Sequence, residues 1–583
     1  MCGIIGYIGN KNASEIVLDG LKHLEYRGYD SVGMAYILNG NLIIKKGVGN
    51  IDSVNSKLNF LELKSNIVIG HTRWATHGEV SEVNSHPHTD CNNNIAIVHN
   101  GIIENYNELK EALEKENHVF KSSTDTEVVA HLIEKYMKRE KKFENACKEA
   151  VKELKGSFAL LIINNKEEKI IAIRNESPLV IGIADHGYFA ASDIPAFIKY
   201  TNNVVFLKNY DFVVLEKNKY KIENLFKRKI ERKIEKIEIN FSAIEKGSFD
   251  HYMIKEILEQ KDVIEKATKQ DINKLNKFVF EISKKKEIFM VSAGTSYHAC
   301  LAAKYLFSKL GIIAHVFIAS EFKNFGNILK KDDIVIAVSQ SGETADVLDA
   351  IRFSKEKGCK IFSVVNVKGS SLERESDICL YMNAGPEIGV ASTKAYIAEL
   401  IIFILIYKLL SNDSSINIDE IKNKVYELLA ESRREYIKKV AEKLKNSKSI
   451  FLIGRGINYV TSLEAALKIK EISYIHAEAF PGGEIKHGPI ALIEKGTPCI
   501  VFLGKEKEII SNALELKSRG AFIIGVSSTN SEIFDIWIKV PEDGISNLIY
   551  QIIPMQLLAY QLAILRGFNP DRPRNLAKSV TVL

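Results

Sequence analysis

The strongest constraint on the fold is a repeat in the second half of the chain, where apolar strands alternate with long helices. Residues 287–294 (Glu-Ile-Phe-Met-Val-Ser-Ala-Gly) match residues 449–456 (Ser-Ile-Phe-Leu-Ile-Gly-Arg-Gly), and each copy ends in glycine before a helical pattern. Strands that alternate with helices form parallel βαβ units, so the repeat predicts two doubly wound modules, at 270–430 and 431–570. The other matching strand pairs are 333–338 with 498–503, 361–365 with 522–526, and 378–382 with 536–540.

The first module contains a loop with three hydroxyls, Ser339-Gln340-Ser341-Gly342-Glu343-Thr344, between an apolar strand and helix-forming residues. Such a loop at a helix N-terminus brings together backbone N–H groups, the positive end of the helix dipole and hydroxyls, which suits a phosphate. A serine-rich N-cap turn explains the loop equally well when it is taken alone. The second copy has Gly504-Lys505 at this place, so we expect only the first module to bind the phosphate.

The first 240 residues have a different pattern, in which short apolar runs alternate with Gly/Asn turns and helical patterns are few. This indicates a sheet-rich α+β domain. Residues 217–238 mix charged residues with isolated isoleucines, which is typical of a solvated edge strand leading into a linker, and a connecting helix is expected within 241–269. The predicted strands lie at 4–8, 68–69, 95–98, 158–163, 170–173 and 204–207, and the predicted helices at 15–24, 106–114 and 127–136.

Composition restricts the possible partners. The net charge of +6 over 583 residues is small and dispersed, which gives no basis for a nucleic-acid-binding stripe. Seven cysteines without a CxxC pair argue against a disulfide framework and favour a reducing compartment. The start of the chain carries no basic leader, and the most membrane-like run, residues 400–407, is too short to span a bilayer. We therefore expect a cytoplasmic protein with no membrane partner.

Cys2 is a candidate nucleophile because removal of Met1 leaves it with a free α-amine. An α-amine titrates at about 7.7–8.0, so a large fraction is neutral near physiological pH and can accept the thiol proton. Nucleophile and base then belong to the same residue. A cysteine at the second position is, however, commonly just a small buried side chain.

The residues that accompany Cys2 strengthen this interpretation. Arg73 offers a bidentate grip on a carboxylate, and Asp125 can hold an ammonium group. Asn100 with the Gly101 N–H can form an oxyanion hole. The histidines of this region also raise the question of zinc, but their spacing matches no ordinary ligand set and Cys91 stands isolated in the sequence, so we predict no metal.

Motifs in both halves resemble one family. The N-terminal half resembles the N-terminal-cysteine glutamine amidotransferases in Met1-Cys-Gly-Ile-Ile-Gly, His71-Thr-Arg-Trp-Ala-Thr-His, His99-Asn-Gly and Ser123-Thr-Asp. The combination with the second half resembles the isomerizing glutamine–fructose-6-phosphate aminotransferases from end to end. The motifs of the second half are Ser339-Gln-Ser-Gly-Glu-Thr-Ala-Asp, Gly389-Val-Ala-Ser-Thr-Lys, Lys470-Glu-Ile-Ser-Tyr-Ile-His-Ala-Glu, Lys486-His-Gly-Pro and Arg574-Asn-Leu-Ala-Lys-Ser-Val-Thr-Val.

The resemblance implies an Ntn-hydrolase αββα domain at 1–240 that releases ammonia from L-glutamine through a thioester on Cys2. It implies Asn100 and Gly101 as further catalytic residues. Trp74 would gate an ammonia channel that has Ala577 near its other end. The residues that would bind glutamine are Arg73, Thr76, His77, His86 and Asp125.

For the second half the resemblance implies two sugar isomerase (SIS) modules that convert D-fructose 6-phosphate to D-glucosamine 6-phosphate, without a cofactor, in the first step of hexosamine synthesis. Glu471 would move a proton between C1 and C2, and Lys578 would form an imine with the ketose. His487 would open the sugar ring from the neighbouring subunit of a homodimer, and residues 571–583 would close the site. The residues that would hold the sugar phosphate are Thr295, Ser296, Ser339, Gln340, Ser341, Thr344 and Ser392.

Each of these residues also has an ordinary structural explanation. Glu471 fits a solvated helix face, His487 fits a cap or core position, and the tail fits a frayed terminus. A non-catalytic sugar-phosphate sensor is the rival from another class, and it would not need Glu471, His487 or Lys578. A deglycase would have no use for Cys2, and the pyrophosphate loops of other amidotransferases are absent from the sequence.

Overall fold

A computed structural model describes residues 2–75, 78–140, 142–227, 230–237 and 244–581. These residues form two compact units. The first contains the described residues up to Ile244 together with residues 579–581, and the second contains Glu245–Lys578.

The first unit is built on two antiparallel sheets. One has the strand order β14-β11-β9-β10-β1-β4-β2-β3 and the other the order β13-β12-β8-β7-β6-β5. The strands are β1 (Gly3–Gly9), β2 (Ser31–Leu38), β3 (Asn41–Val48), β4 (Ile67–Arg73), β5 (His88–Thr89), β6 (Ile95–Ile103), β7 (Gly156–Asn164), β8 (Ile170–Asn175), β9 (Val180–Ala184), β10 (Gly187–Ala191), β11 (Asn203–Phe206), β12 (Asp211–Glu216), β13 (Lys219–Asn224) and β14 (Glu235–Lys236).

The two sheets pack face to face between layers of helices. Side chains from both sheets, among them Ile69 and Val98, share one buried cluster. The outer face of the first sheet packs against α1, and that of the second packs against α3 to α5. Because β1 and β4 are covered on both faces, every residue in them is buried. The expected αββα fold is confirmed, with helices α1 (Ala13–Leu24), α2 (Ile51–Leu58), α3 (Tyr106–Lys115), α4 (Glu127–Met137) and α5 (Phe143–Glu153).

The charged stretch at 217–238 supplies sheet edges, as its pattern predicts. Strand β13 lies at one edge of the six-stranded sheet, and β14 lies at one edge of the eight-stranded sheet. Lysine and glutamate side chains on such edges remain in water and discourage pairing with another chain.

The second unit contains two five-stranded parallel sheets, with the orders β16-β15-β17-β18-β19 and β21-β20-β22-β23-β24. The strands are β15 (Glu287–Ser292), β16 (Ile313–Ile318), β17 (Ile334–Ser339), β18 (Lys360–Val365), β19 (Ile378–Tyr381), β20 (Ser449–Gly454), β21 (His476–Pro481), β22 (Pro498–Phe502), β23 (Phe522–Ser527) and β24 (Ile536–Lys539). All four strand pairs of the predicted repeat occupy equivalent places in the two sheets. Strands β16 and β21, one at an edge of each sheet, were not expected from the sequence.

Helices surround these sheets, most of them around one shared apolar core and the others in two smaller clusters. They are α6 (Tyr252–Thr268), α7 (Ile272–Ser283), α8 (Gly294–Ser308), α9 (Ala345–Glu356), α10 (Ser371–Arg374), α11 (Lys394–Ser411), α12 (Ile418–Leu428), α13 (Glu431–Leu444), α14 (Ile457–Ser473), α15 (Glu508–Lys517) and α16 (Asn547–Leu565). The stretch Gly544–Leu565 is long and apolar enough to cross a membrane, but 83% of its most apolar window is buried, which marks it as a core helix.

Both sheets of the second unit reverse their order after the first strand. In doubly wound folds, ligands bind at this switch point, outside the carboxyl ends of the strands. In the first sheet the switch lies between β15 and β17, so the start of α8 and the loop at 339–344 face one crevice.

Candidate active site

Cys2 lies immediately before β1, where the ends of β1, β4 and β6 come together. Pairing of Gly3 with Thr72 brings the end of β4 beside it. The Cys2 backbone nitrogen donates to Asn100 Oδ1 at 3.1 Å, and its thiol donates to the Trp74 carbonyl at 3.6 Å. The nitrogen that would become the α-amine after removal of Met1 is therefore fixed beside a catalytic candidate.

Asn100 and Gly101 have the geometry that an oxyanion hole requires. Asn100 Nδ2 is buried and has no hydrogen-bond partner within the described part of the chain, so an N–H donor remains for a ligand. Gly101 has φ +141, and a Cβ there would lie 1.9 Å from the Ser157 carbonyl oxygen, so no other residue fits. Two sequence-predicted residues thus lie together at the end of β6.

The surroundings of the thiol favour its neutral form. Burial raises the pKa of Cys2, Arg73 acts in the opposite direction, and Asp125 adds to the rise. A thiol held neutral in this way needs a base before it can attack a substrate. This requirement agrees with the role expected for the α-amine.

Arg73 and Asp125, which are also predicted to bind glutamine, form hydrogen bonds with backbone groups of the same unit. Arg73 donates to the carbonyl oxygens of Gly78 and Glu79, each at 3.1 Å. Asp125 accepts the Ile103 N–H at 2.7 Å. The predictions for Thr76 and His77 concern residues outside the described ranges.

His86 belongs to a buried group of imidazoles. Its ring stacks on that of His71 at 3.9 Å and meets the edge of His88 at 4.6 Å. Burial lowers the pKa of His71 and His86 well below the ordinary value and that of His88 to about 3. These rings are neutral at working pH, and whether His86 contacts glutamine stays a prediction.

The loop at 339–344 folds around its own hydroxyls at the N-terminus of α9. Ser339 Oγ accepts the Gly342 N–H at 3.1 Å and lies 3.0 Å from Thr344 Oγ1. Ser341 Oγ accepts the Glu343 N–H at 3.2 Å. Three hydroxyls therefore gather at one helix end, which is the geometry of an anion site.

A buried charged network, which sequence reasoning missed, connects the start of α8 to α14. Lys468 Nζ donates to Thr295 Oγ1 at 3.0 Å and pairs with Glu471 at 2.6 Å. Glu464 accepts the Thr295 hydroxyl at 3.1 Å and lies 2.7 Å from His298 Nδ1. Burial would lower the pKa of Lys468, but Glu471 and Glu464 outweigh it and raise the pKa. The lysine is therefore a fixed cation that positions Glu471.

The C-terminal segment is held in place through Lys578, as the single lysine between small residues predicted. Lys578 Nζ donates to Glu387 Oε2 at 2.5 Å and to the Gly389 carbonyl at 2.8 Å. Ser392 donates to the same Glu387 carboxylate at 3.0 Å. Burial would raise the pKa of Glu387, but Lys578 and backbone N–H groups outweigh it and lower the pKa to about 2.

Asn366 connects this segment to the phosphate loop. Its backbone N–H donates to the Gln340 carbonyl at 3.1 Å, and its side chain donates to the Gly385 carbonyl at 2.7 Å. The residues predicted to bind sugar phosphate are thereby linked to those around Lys578. His487, by contrast, is exposed on a loop after the short 3-10 helix Glu484–Lys486.

Glu399, on α11, is a buried acid next to a predicted ligand. It accepts the Ser296 hydroxyl at 2.7 Å, and burial raises its pKa to about 8. The Ser296 hydroxyl lowers this pKa, while Glu387 and Glu464 add to the rise. The carboxyl is therefore neutral at pH 7, which suits a position near a phosphate dianion.

Replacement of Glu399 with glutamine is expected to remove a pH-dependent loss of stability. The folded chain keeps a proton that the unfolded chain gives up above pH about 4.5, so rising pH favours unfolding of the wild type between about 5 and 8. The Tm of Glu399→Gln relative to wild type should therefore rise by several degrees from pH 5 to pH 8. Glu431→Gln, on the surface, is the control, and an identical Tm difference at both pH values would contradict the prediction.

Comparisons with known proteins identify the domains and the family of the chain. A glutamine amidotransferase domain model matches residues 71–199, and an SIS domain model matches residues 281–408 and 443–566. The glutamine–fructose-6-phosphate aminotransferases (isomerizing) of Thermococcus kodakarensis and Pyrococcus horikoshii are each 46% identical to the chain, over 100% of both lengths. The C-terminal domain of glucosamine-fructose-6-phosphate aminotransferase from Francisella tularensis is 33% identical, with a TM-score of 0.50 over 56% of this chain and 100% of that domain. The chain therefore belongs to the family of isomerizing glutamine–fructose-6-phosphate aminotransferases.

Proposed function

We propose that this protein converts L-glutamine and D-fructose 6-phosphate to L-glutamate and D-glucosamine 6-phosphate in the cytoplasm. The observation that carries the proposal is the presence, in one chain, of Cys2 beside Asn100, of Lys578 held by Glu387 and of a hydroxyl-rich loop at 339–344. Incubation with both substrates should give glutamate and amino sugar in equal amounts. A sugar-phosphate sensor would form neither product, and a simple glutaminase would form only glutamate.

In the first half-reaction, the α-amine of Cys2 takes the thiol proton and the sulfur attacks the carboxamide carbon of glutamine. The developing oxyanion is stabilised by Asn100 Nδ2 and the Gly101 N–H. Collapse of the tetrahedral intermediate releases ammonia and leaves a thioester, which water hydrolyses to glutamate. The buried, unpaired amide nitrogen of Asn100 supports this assignment.

In the second half-reaction, the phosphate of the sugar binds the loop at 339–344. Lys578 forms an imine with C2 of the ketose, and water leaves. Ammonia then adds to C2 and displaces the lysine amine, and Glu471 moves a proton from C1 to C2, which turns the ketose into an aldose with an amino group. The salt bridge from Lys468 to Glu471 supports this role, because the 2.6 Å contact holds the carboxylate in one position.

We also infer a homodimer in which His487 acts on the sugar bound by the partner subunit. The exposure of this histidine in the single chain supports that role.

An ammonia channel with Trp74 as its gate and Ala577 near its far end remains a prediction from the family resemblance. The contact of the Cys2 thiol with the Trp74 carbonyl supports a place for Trp74 at the glutamine site.

Replacement of both Ser341 and Thr344 with alanine should raise the KM for fructose 6-phosphate by tens-fold or more. The change removes two hydroxyl donors to a dianion, and each is worth about 1.5–3 kcal/mol. Glutaminase activity should persist. Ser354→Ala is the matched control, because that hydroxyl lies on α9, the helix that follows the loop, and bonds only to the Ala350 carbonyl among the described contacts. An unchanged KM in the double variant would place the phosphate elsewhere.

A further inference from the structure

Four side chains that can bind a metal converge at a place away from Cys2. Cys91 lies in the turn between β5 and β6, His118 follows α3, and His131 and Glu134 lie on α4. One donor atom from each lies within 4.8 Å of all the others. The expectation that Cys91 is isolated is wrong, because its partners lie 27 to 43 residues further along the chain.

Five of the six distances between the donor atoms are close to those of a tetrahedral site, and the sixth is within 4.8 Å. Cys91 Sγ lies 3.8 Å from His118 Nδ1 and 3.4 Å from His131 Nδ1, and the two imidazole nitrogens are 3.3 Å apart. Glu134 Oε2 lies 3.0 Å from His118 Nδ1 and 3.6 Å from His131 Nδ1. A tetrahedron with edges of about 3.4 Å has its centre roughly 2.1 Å from each corner, close to the bond lengths of zinc to nitrogen and oxygen.

Neighbouring groups hold these ligands in place. Glu134 Oε1 accepts the Asn92 side-chain amide at 2.7 Å, which leaves Oε2 directed at the cluster. His131 Nε2 lies 3.5 Å from Glu127 Oε1, so a carboxylate faces the ring nitrogen that would not bind the metal. Histidine ligands of metals usually donate a hydrogen bond from the second nitrogen to such a group. Here Glu127 lies within ion-pair distance of His131 Nε2 but does not accept a hydrogen bond from it.

A hydrogen-bonded cluster without metal accounts less well for this geometry. The Nδ1 atoms of His118 and His131 face each other, and both also face the Cys91 thiol and Glu134 Oε2. All four atoms carry lone pairs, and there are too few protons among them for every close contact to be a hydrogen bond. His118 Nε2 is buried without a hydrogen-bond partner among the described residues, so this nitrogen adds no hydrogen bond that would stabilise a cluster without metal. Convergent nitrogen, sulfur and oxygen lone pairs are the donor set of a zinc ion.

We propose that Cys91, His118, His131 and Glu134 bind one zinc ion in a closed, structural site. On binding, the Cys91 thiol releases its proton to solvent, and the thiolate and the carboxylate balance the charge of Zn²⁺. Four protein ligands leave no open position for a substrate, so the ion takes no part in glutamine hydrolysis.

The ion would tie together three segments, two of which lead to the glutaminase site. Strand β6 begins a few residues after Cys91 and carries Asn100 and Gly101 near its end, and α4 begins two residues after Asp125. Loss of zinc should therefore lower the Tm of the first unit and leave Cys2 chemically intact.

The test measures zinc directly on the full-length protein. Protein stripped with a chelator, incubated with Zn²⁺ and freed of excess metal should retain about one zinc per chain by mass spectrometry. Cobalt in place of zinc should give the intense visible absorption of tetrahedral Co²⁺ and a thiolate charge-transfer band. Cys91→Ser and His118→Ala should weaken zinc binding by at least about 100-fold, judged by competition with a chelating dye.

Cys359→Ser is the matched control, because this thiol lies in the other unit, where it contacts the carbonyl oxygen of Lys330. It should retain zinc like the wild type. Wild-type protein that retains less than about one-tenth of a zinc per chain, or that shows an octahedral cobalt spectrum, would overturn the proposal without reference to any variant. Full zinc retention by folded Cys91→Ser protein would overturn the assignment of Cys91.

Discussion

Cys2→Ala is expected to reduce glutamate release from glutamine by at least about 10³-fold, because no thioester can form without the thiol. The variant should still bind fructose 6-phosphate with wild-type affinity, since the proposed sugar-phosphate residues belong to the other unit. Initial rates of glutamate release, together with fructose 6-phosphate binding measured by calorimetry, test both statements. Cys379→Ala, which removes a buried thiol from β19, serves as the control and should keep its glutaminase activity.

The role of the α-amine has a separate test. Insertion of one glycine between Met1 and Cys2 keeps the thiol but converts its nitrogen into an amide that cannot accept a proton. Glutamate release should then fall nearly as far as in Cys2→Ala, because burial holds the thiol neutral. Mass spectrometry must verify the N-terminus of each protein. Full activity of the insertion variant would show that another group acts as the base.

The strands of the second unit could be predicted where they are central and apolar. Strands β15, β17 and β18 are almost fully buried, so their sequences are continuous apolar runs. Strands β16 and β21 lie at sheet edges, are partly exposed, and include polar residues such as His315 and Glu478. Such strands show no continuous run of apolar residues, so the sequence pattern did not predict them.

Some residues of the candidate site could likewise be predicted from the sequence, and others could not. Residues within contiguous motifs, such as Cys2, Ser341 and Lys578, could be named from the sequence. Glu464 and Lys468 could not, because charged residues at this helical spacing normally mark a solvated face. Only the packing of α14 shows that both are fully buried.

The cluster around Cys91 shows the same limit for metal sites. Its ligands come from a turn, a segment between helices and one face of α4, so no local spacing marks them. Sequence patterns identify metal sites when the ligands are local. Here antiparallel pairing of β5 with β6 and the packing of α4 bring them together.

The contacts of Lys578 are compatible with two roles, as the counter-ion of Glu387 and as the amine that forms an imine. One substitution distinguishes between them. The ammonium group balances the buried Glu387 carboxylate, so the lysine contributes to the structure of the site. A lysine that forms an imine must first lose its proton, and Glu387 or a group on the sugar can receive it. An arginine keeps the charge and the ion pair but stays protonated and cannot form an imine with a ketone.

Lys578→Arg is therefore expected to reduce amino-sugar formation by at least about 10³-fold, while glutamate release from glutamine continues. Borohydride should reduce the imine and attach fructose 6-phosphate covalently to the wild-type chain, and the variant should show no such adduct by mass spectrometry. Lys368→Arg, an exposed lysine in the same unit, is the control and should behave like the wild type. If Lys578→Arg keeps more than about one-tenth of the synthetic activity, the lysine serves only as the counter-ion of Glu387, because a step that needs a neutral amine cannot proceed through a guanidinium group.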